Sequence, residues 1–136
     1  MNENTLVPEL LKKLRKAIPN GVIFKHADKV RSGIPDISVD AHRRTTWLEA
    51  KWANPTVSTK GIQHLTCLQL ERYCGNCWYV VYGRHNDYRL YTAIALPSHI
   101  DRESGTLTGG VVATTGIDHD MVVEFVRGVH FGTRAT

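Results

Sequence analysis

The sequence is short of several features that would place it in a specialised class of protein. It has three cysteines in 136 residues, and this odd, small number disfavours a disulfide framework. Cys74 and Cys77 have the spacing of half a zinc site, but no second Cys/His pair with finger-like spacing follows, so we expect no zinc. The sequence also lacks a long apolar run and a basic-then-apolar N-terminal segment, which predicts a cytoplasmic protein with no membrane partner.

Acidic residues are the minority among the charged side chains. Lys and Arg total 17 against 13 Asp and Glu, which gives a formal net charge of +4. Such a surface attracts polyanions and favours nucleic acid as a partner, although charge alone is weak support because many basic proteins bind none. A purely solubilising role is the alternative for each basic group. The residues that we expect to contact phosphate are Lys12, Lys16, Lys25, Lys29, Arg31, Ser32, Arg43 and Arg44.

Chain length and the order of the patterns indicate a single α/β domain over residues 1–136. Apolar residues at helical spacing predict a first helix that Thr5 can cap, and a second helix on which four apolar positions, Leu65, Leu68, Leu70 and Tyr73, recur. Runs of β-branched and aromatic residues predict strands between and after them. The predicted elements are a helix to Ile18, strands at Val22–Lys25, 36–40 and 45–52, a helix from about Ile62 to Tyr73, strands at Trp78–Tyr82, Tyr88–Leu96 and Val111–Thr115, and a helix from Asp118 to about Val129.

The segment from residue 36 to residue 52 predicts a hairpin. Apolar residues alternate with acids and serine on its first strand, and alternation resumes on its second. A tight turn through residues 41–44 would pair Asp40 with Thr45, Ser38 with Trp47 and Asp36 with Glu49 on one face. The same register places four apolar residues on the opposite face, where helices can bury them: Ile37, Val39, Leu48 and Ala50.

The predicted pairing of Asp36 with Glu49 has a chemical consequence. Two carboxylates about 5 Å apart repel by roughly 3 kcal/mol, and a divalent cation between them turns this repulsion into attraction. Hard oxygen ligands suit Mg²⁺, with Mn²⁺ as a substitute. Lys51 lies two residues beyond Glu49 and therefore points to the same side of the strand. Two acids and an amine in one pocket predict phosphodiester hydrolysis, in which Lys51 supplies charge or orients the water.

Two segments together resemble the PD-(D/E)xK nuclease signature: Ser32-Gly33-Ile34-Pro35-Asp36 and Trp47-Leu48-Glu49-Ala50-Lys51. They are most similar to the virus-type replication-repair nuclease family (VRR-NUC), which is related to Holliday-junction resolvases. The resemblance covers the first helix through the strand at residues 78–82. It implies a restriction-endonuclease-like core, with a central mixed β-sheet flanked by helices. It also implies that Asp36, Glu49 and the Ala50 carbonyl bind metal and that Lys51 is catalytic.

The resemblance also implies two further site residues. The family often carries a glutamine on the following helix, in a Leu-[Ser/Thr]-x-x-Gln setting, which corresponds to Gln69 here, with Gln63 in reserve. A glutamate on the first helix often lies near the metal, and this corresponds to Glu9. An exposed helix position is the alternative for Gln69, and a helix-dipole interaction is the alternative for Glu9.

The leading functional hypothesis is a Mg²⁺-dependent endonuclease that cuts DNA, with branched or flap-like substrates implied by the junction-resolving relatives. Paired cuts imply a homodimer, for which Trp52 or the C-terminal helix offers apolar surface. No organic cofactor is expected. Two alternatives remain open. One is a nucleic-acid-binding or assembly protein that does not cut, and the other is a type II restriction enzyme, for which the short chain leaves little room for a recognition domain.

Overall fold

The strands of this protein follow one another across a single mixed sheet in their chain order, β1 to β6. The structure is a computed structural model that describes residues 3–26, 33–59 and 61–132. Strands β3 and β4 pair in parallel and the other neighbours pair antiparallel, so α2 forms the crossover that a parallel pair requires. The elements are α1 (Glu3–Ala17), β1 (Val22–Lys25), β2 (Ile37–Ala41), β3 (Arg44–Ala53), α2 (Ile62–Cys74), β4 (Cys77–Arg84), β5 (Leu90–Ala95), a 3-10 turn (Pro97–His99), β6 (Val112–Thr115) and α3 (His119–Phe131).

The β2–β3 hairpin has the predicted register. Ser38 lies opposite Trp47, and Asp40 lies opposite Thr45. The turn at residues 42–43 has positive φ at both positions, 52° and 65°, as in the two-residue turn whose twist matches that of paired strands. The four apolar residues expected on the opposite face are all buried in the core: Ile37, Val39, Leu48 and Ala50.

The two faces of the sheet differ in what covers them. Helices α1 and α3 pack together over the face that carries Leu48 and Ala50, which we call the α1/α3 face. Helix α2 packs over the β3–β4 part of the other face, which carries Glu49 and Lys51 and which we call the α2 face. A smaller apolar cluster lies on the α2 face: Ala53, Val57, Cys67, Cys77, Tyr79, Val81, Ala93 and Ile100.

The boundaries of the helices correct two expectations. Helix α1 begins at Glu3, so Thr5 lies inside it and is not its cap. Helix α2 has the predicted extent, but its buried residues are His64 and Cys67, whereas Leu65 is 42% exposed and Tyr73 is 75% exposed. The leucine spacing was correct for Leu70, which packs against the α2-face cluster, and wrong for Leu65 and Tyr73. The helix instead turns His64 and Cys67 towards the sheet. Within the described ranges, no helix is both long and apolar enough to cross a bilayer.

Candidate metal and catalytic site

The β2–β3 hairpin brings the carboxylates of Asp36 and Glu49 together. Asp36 ends the loop before β2, and its amide donates a hydrogen bond to Glu49 Oε1 at 3.0 Å. The amide of Ala50 donates to Asp36 Oδ2 at 3.1 Å. On the other side, the amide of His26 donates to the Asp36 carbonyl at 2.7 Å. Main-chain contacts from two neighbouring strands therefore fix the position of Asp36 opposite Glu49.

Burial makes both carboxylic acids of this pair weaker than usual. The side chain of Glu49 is 2% exposed, and loss of hydration, followed by the charge of Asp36, raises the pKa of Glu49 to about 9. Loss of hydration also raises the pKa of Asp36, although the hydrogen bond from Ala50 opposes this shift. In the absence of a cation, Glu49 therefore holds a proton at neutral pH.

Lys51 lies beside the pair, as strand alternation predicts. Its Nζ is 3.4 Å from Glu49 Oε2 and donates to Gln63 Oε1 at 3.1 Å. The same nitrogen is 5.9 Å from the centroid of the Tyr79 ring. Because α2 supplies Gln63 and β4 supplies Tyr79, the ammonium group is held between three elements at the edge of the carboxylate pair.

Helix α2 contributes Gln63 to the site, and not Gln69, which was the glutamine that the resemblance favoured. Gln69 is exposed, and it lies six residues beyond Gln63, which at 100° per residue turns it to another side of α2. The threonine of the same motif, Thr66, instead contacts the loop that leads to Asp36. A Cβ atom at Gly33 would lie 2.7 Å from Thr66 Oγ1, and Gly33 has a φ of 123°. Gly33 thus allows this loop to pack against α2.

The glutamate expected from the first helix is also placed elsewhere. Glu9 is 69% exposed, and its carboxylate accepts a hydrogen bond from His119 Nε2 on α3 at 3.1 Å. The acid of α1 that does affect the site is Glu3 in its first turn, whose charge adds a minor contribution to the raised pKa of Asp36 after loss of hydration. We missed Glu3 because the helix was expected to begin after it. The sequence signal for an earlier helix start was the acid that precedes the apolar periodicity, because acids are favoured in the first turn of a helix.

The donor set at the pair fits a hard divalent cation. Asp36 and Glu49 offer carboxylate oxygens, and the Ala50 carbonyl lies between Glu49 and Lys51 in the chain. Loss of hydration raises the pKa of both acids, and the nearby charge of Lys51 only partly opposes this shift. Within residues 3–26, 33–59 and 61–132, no three His, Cys, Asp or Glu side chains converge as metal ligands. Mg²⁺ is commonly bound through one or two carboxylates together with waters and substrate phosphates.

The basic residues of α1 do not gather at this pair. Lys12 and Lys16 are exposed on α1, whose first turn is the end that influences Asp36. At 1.5 Å per residue, Lys16 lies about 20 Å along the helix from Glu3. A direct contribution of Lys16 to the reacting phosphate is therefore not expected.

The remaining basic residues divide between the two ends of the hairpin. Lys25 is exposed at the end of β1, next to His26. Arg43 is exposed in the turn, and Arg44 donates to the Val129 carbonyl at 3.3 Å. Arg44 is about 17 Å along β3 from Glu49. Lys29, Arg31 and Ser32 lie outside the described residues.

A buried polar layer lies behind Lys51, and the sequence patterns did not predict it. Tyr79 Oη lies 2.7 Å from His64 Nδ1, and both residues are buried. Burial lowers the pKa of His64, so this ring is neutral at physiological pH. Cys67 forms a hydrogen bond with Cys77 in the same layer. The one sequence signal was the His64–Cys67 spacing on α2, which places both residues on the same helix face.

No protein-family model matches this chain, and no curated protein matches it. Functional inference therefore depends on the geometry of the site.

Proposed function

We propose that this protein is a divalent-metal-dependent nuclease that hydrolyses phosphodiester bonds in DNA with Asp36, Glu49 and Lys51. The observation that supports this best is a buried carboxylate pair with a lysine Nζ 3.4 Å from one of its oxygens. The mixed sheet, in which a hairpin carries the acids and a helix crosses over to the parallel strand β4, is in keeping with a restriction-endonuclease-like core.

Hydrolysis of a phosphodiester needs an activated water and neutralisation of the charge on phosphate. A Mg²⁺ or Mn²⁺ ion held by Asp36, Glu49 and the Ala50 carbonyl would supply both. Lys51 adds a positive charge that becomes more favourable as charge develops in the transition state. Its ammonium has three hydrogens, of which Gln63 takes one, so others remain to face a phosphate oxygen. Gln63 acts as a positioning residue for Lys51.

DNA is the favoured substrate because the chain is basic and Lys25 is exposed near the acid pair. The resemblance to junction-resolving nucleases favours branched or flap-like DNA over plain duplex. We therefore expect a homodimer that makes paired cuts, and sedimentation at micromolar concentration should show one. Trp52 is half-buried against the core, which leaves Phe131, 54% exposed at the end of α3, as the better interface candidate. A monomer in sedimentation would contradict this part of the proposal.

The direct experiment compares cleavage of duplex, single-stranded, nicked and four-way DNA in Mg²⁺ and in Mn²⁺. Wild-type protein should cut at least one of these forms, and the Asp36→Asn variant should cut none while still binding DNA. Asp120→Asn is the matched control, because Asp120 is an exposed acid paired with Lys13 on the α1/α3 side. Failure of wild-type protein to cut any form would refute the nuclease proposal. Binding without cleavage would favour the non-cleaving alternative.

A further inference from the structure

A second concave surface lies on the α2 face, over strands β5 and β6. It forms a cavity of about 1000 Å³ between the β4–β5 turn and the loop around Gly109. Ala113 and Thr115 on β6 are exposed there. Neither this surface nor the residues at its rim take part in the carboxylate site described above.

Strand register places this cavity on the same side of the sheet as the acid pair. Lys51, Val81, Ala93 and Ala113 are successive partners across β3, β4, β5 and β6. Ala93 and Ala113 line the cavity. With strands about 4.8 Å apart, the first of them lies about 10 Å from Lys51. That distance equals about three steps of a stacked nucleic-acid strand at ~3.4 Å each.

Aromatic rings form one wall of the cavity. His85 and Tyr91 are stacked, with ring centroids 4.4 Å apart and an interplanar angle of 26°. Tyr88, at the tip of the same turn, is 77% exposed and has a φ of 67°, a left-handed conformation that bulky residues rarely adopt. This turn therefore presents a flat ring to solvent beside a stacked pair. Such surfaces bind nucleobases, because every base has a face that stacks.

The charged residues that line the cavity are basic. Its lining includes Arg84 and Arg89 and contains no acid. Arg89 pairs with Asp87 at the rim, through an Nε–Oδ2 contact of 2.6 Å. Arg84 donates to the Tyr88 carbonyl at 3.4 Å and has no acidic partner in the described part of the chain. One uncompensated guanidinium next to an exposed aromatic ring fits a phosphate next to a base.

We propose that this cavity binds a single-stranded stretch of nucleic acid, with a base stacked on Tyr88 and a backbone phosphate facing Arg84. The bound stretch flanks the phosphodiester held at Asp36 and Glu49. The identity of the ligand rests on the proposed nuclease function, whereas binding can be measured without cleavage. An unpaired flank is a feature of branched and flap-like DNA, so the cavity would contribute to that preference.

The test measures fluorescence anisotropy of a short labelled oligothymidylate with the whole protein in EDTA, where a metal-dependent cut cannot occur. Tyr88→Asn removes the ring and keeps a residue that tolerates positive φ, and it should raise Kd about 5- to 100-fold. Arg84→Gln should raise Kd and reduce the slope of log Kd against log salt by about 1. The matched controls are Tyr73→Asn, which removes a tyrosine that is 75% exposed on α2, and Arg127→Gln on α3, and each should stay within about twofold of wild type.

Equal losses in the Tyr88 and Tyr73 variants, or unchanged affinity in both cavity variants, would overturn the proposal. Photocrosslinking with 5-iododeoxyuridine gives a second criterion that does not depend on substitution. Adducts should map to Tyr88, Tyr91 or His85, and adducts confined to other residues contradict it. The outcome is separable from the nuclease test, because oligothymidylate binding is measured in EDTA, where no cutting takes place, and this binding stays measurable even if the protein cuts no DNA.

Discussion

The two faces of the sheet bury different kinds of side chain from the same strand, β3. Successive residues of β3 alternate between them, so Leu48 and Ala50 enter the apolar core under α1 and α3, while Glu49 and Lys51 enter the site beneath α2. The α1/α3 face buries a continuous aliphatic core, which stabilises the fold. The α2 face buries charge, which costs free energy unless a ligand compensates it. One strand thus separates the stabilising side of this protein from its candidate reactive side.

One buried polar residue from each face illustrates the difference. On the α1/α3 face, His130 has a partner at both ring nitrogens, Thr46 Oγ1 and the Ala41 carbonyl, each at 2.8 Å. On the α2 face, burial and the charge of Asp36 raise the pKa of Glu49 to about 9. Complete pairing indicates a structural role, whereas a buried acid with a strongly raised pKa marks a candidate functional site.

The largest effect should come from removing the amine of the α2 face. Lys51→Met should lower the single-turnover cleavage rate by about 10³-fold, because the charge that stabilises the transition state is lost. Lys13→Met removes a lysine from an exposed ion pair on the other side and should leave the rate unchanged. Equal rates in these two variants would mean that Lys51 is not part of the reaction.

A substitution in the core of the α1/α3 face should lower stability and leave the cleavage rate unchanged. Leu14 is fully buried in its core, so Leu14→Ala should lower the free energy of unfolding by about 2–5 kcal/mol in urea titrations. Its cleavage rate per folded molecule should remain that of wild type. A large loss of rate in folded Leu14→Ala protein would show that the two faces are not separable.

The pH dependence of stability should show the effect of the acid that is buried on the α2 face. The folded pKa of Glu49 is about 9, above its ordinary 4.5, so the folded state binds more protons than the unfolded state between these values. Metal-free protein should therefore lose stability as pH rises from about 5 to about 9, by up to about 5 kcal/mol at about 1.4 kcal/mol per pH unit. Glu49→Gln should remove most of this slope in urea titrations at several pH values. A wild-type slope that survives in this variant would assign the effect to other groups.

The smallest effect should come from the N-terminal cap of α3. The side chain of Asp118 accepts a hydrogen bond from the Met121 amide as an N-cap, so Asp118→Ala should cost about 1 kcal/mol of stability by thermal or urea unfolding. Cleavage should not change. Asp120→Ala, two residues further along, should cost about 0.5 kcal/mol or less because its ion pair is exposed. A larger loss from Asp120→Ala than from Asp118→Ala would contradict the capping role.

Sequence patterns correctly predicted the parts of the molecule in which polar and apolar residues alternate with exposure and burial. The hairpin register, the strand at Val22–Lys25 and the cap at Asp118 were correct because each depends on neighbouring residues or on one face of a strand. The pairing of Asp36 with Glu49 followed from that register alone. The two-residue alternation of the strands was therefore enough to predict that Asp36, Glu49 and Lys51 lie together.

The remaining site residues depend on contacts that no local pattern encodes. Gln63 rather than Gln69 reaches Lys51 because α2 turns the side that carries Gln63 towards the sheet, and the leucine spacing predicted that side only in part. The influence of Glu3 depends on the path of α1 relative to the loop at Asp36. The cavity at Tyr88 requires β5 and β6 to lie two and three strands from β3, which is a property of sheet order.

We propose that Asp36 and Glu49 hold a divalent cation, and that Glu49 carries a proton when no cation is bound. Calorimetric titration of Mn²⁺ into metal-free protein at pH 7, repeated in buffers of different ionisation enthalpy, tests this claim most directly. Binding should release about one proton, because a ligating carboxylate must be deprotonated, and Asp36→Asn should abolish binding. Binding that persists unchanged in Asp36→Asn, or the absence of any binding to wild-type protein, would contradict the claim.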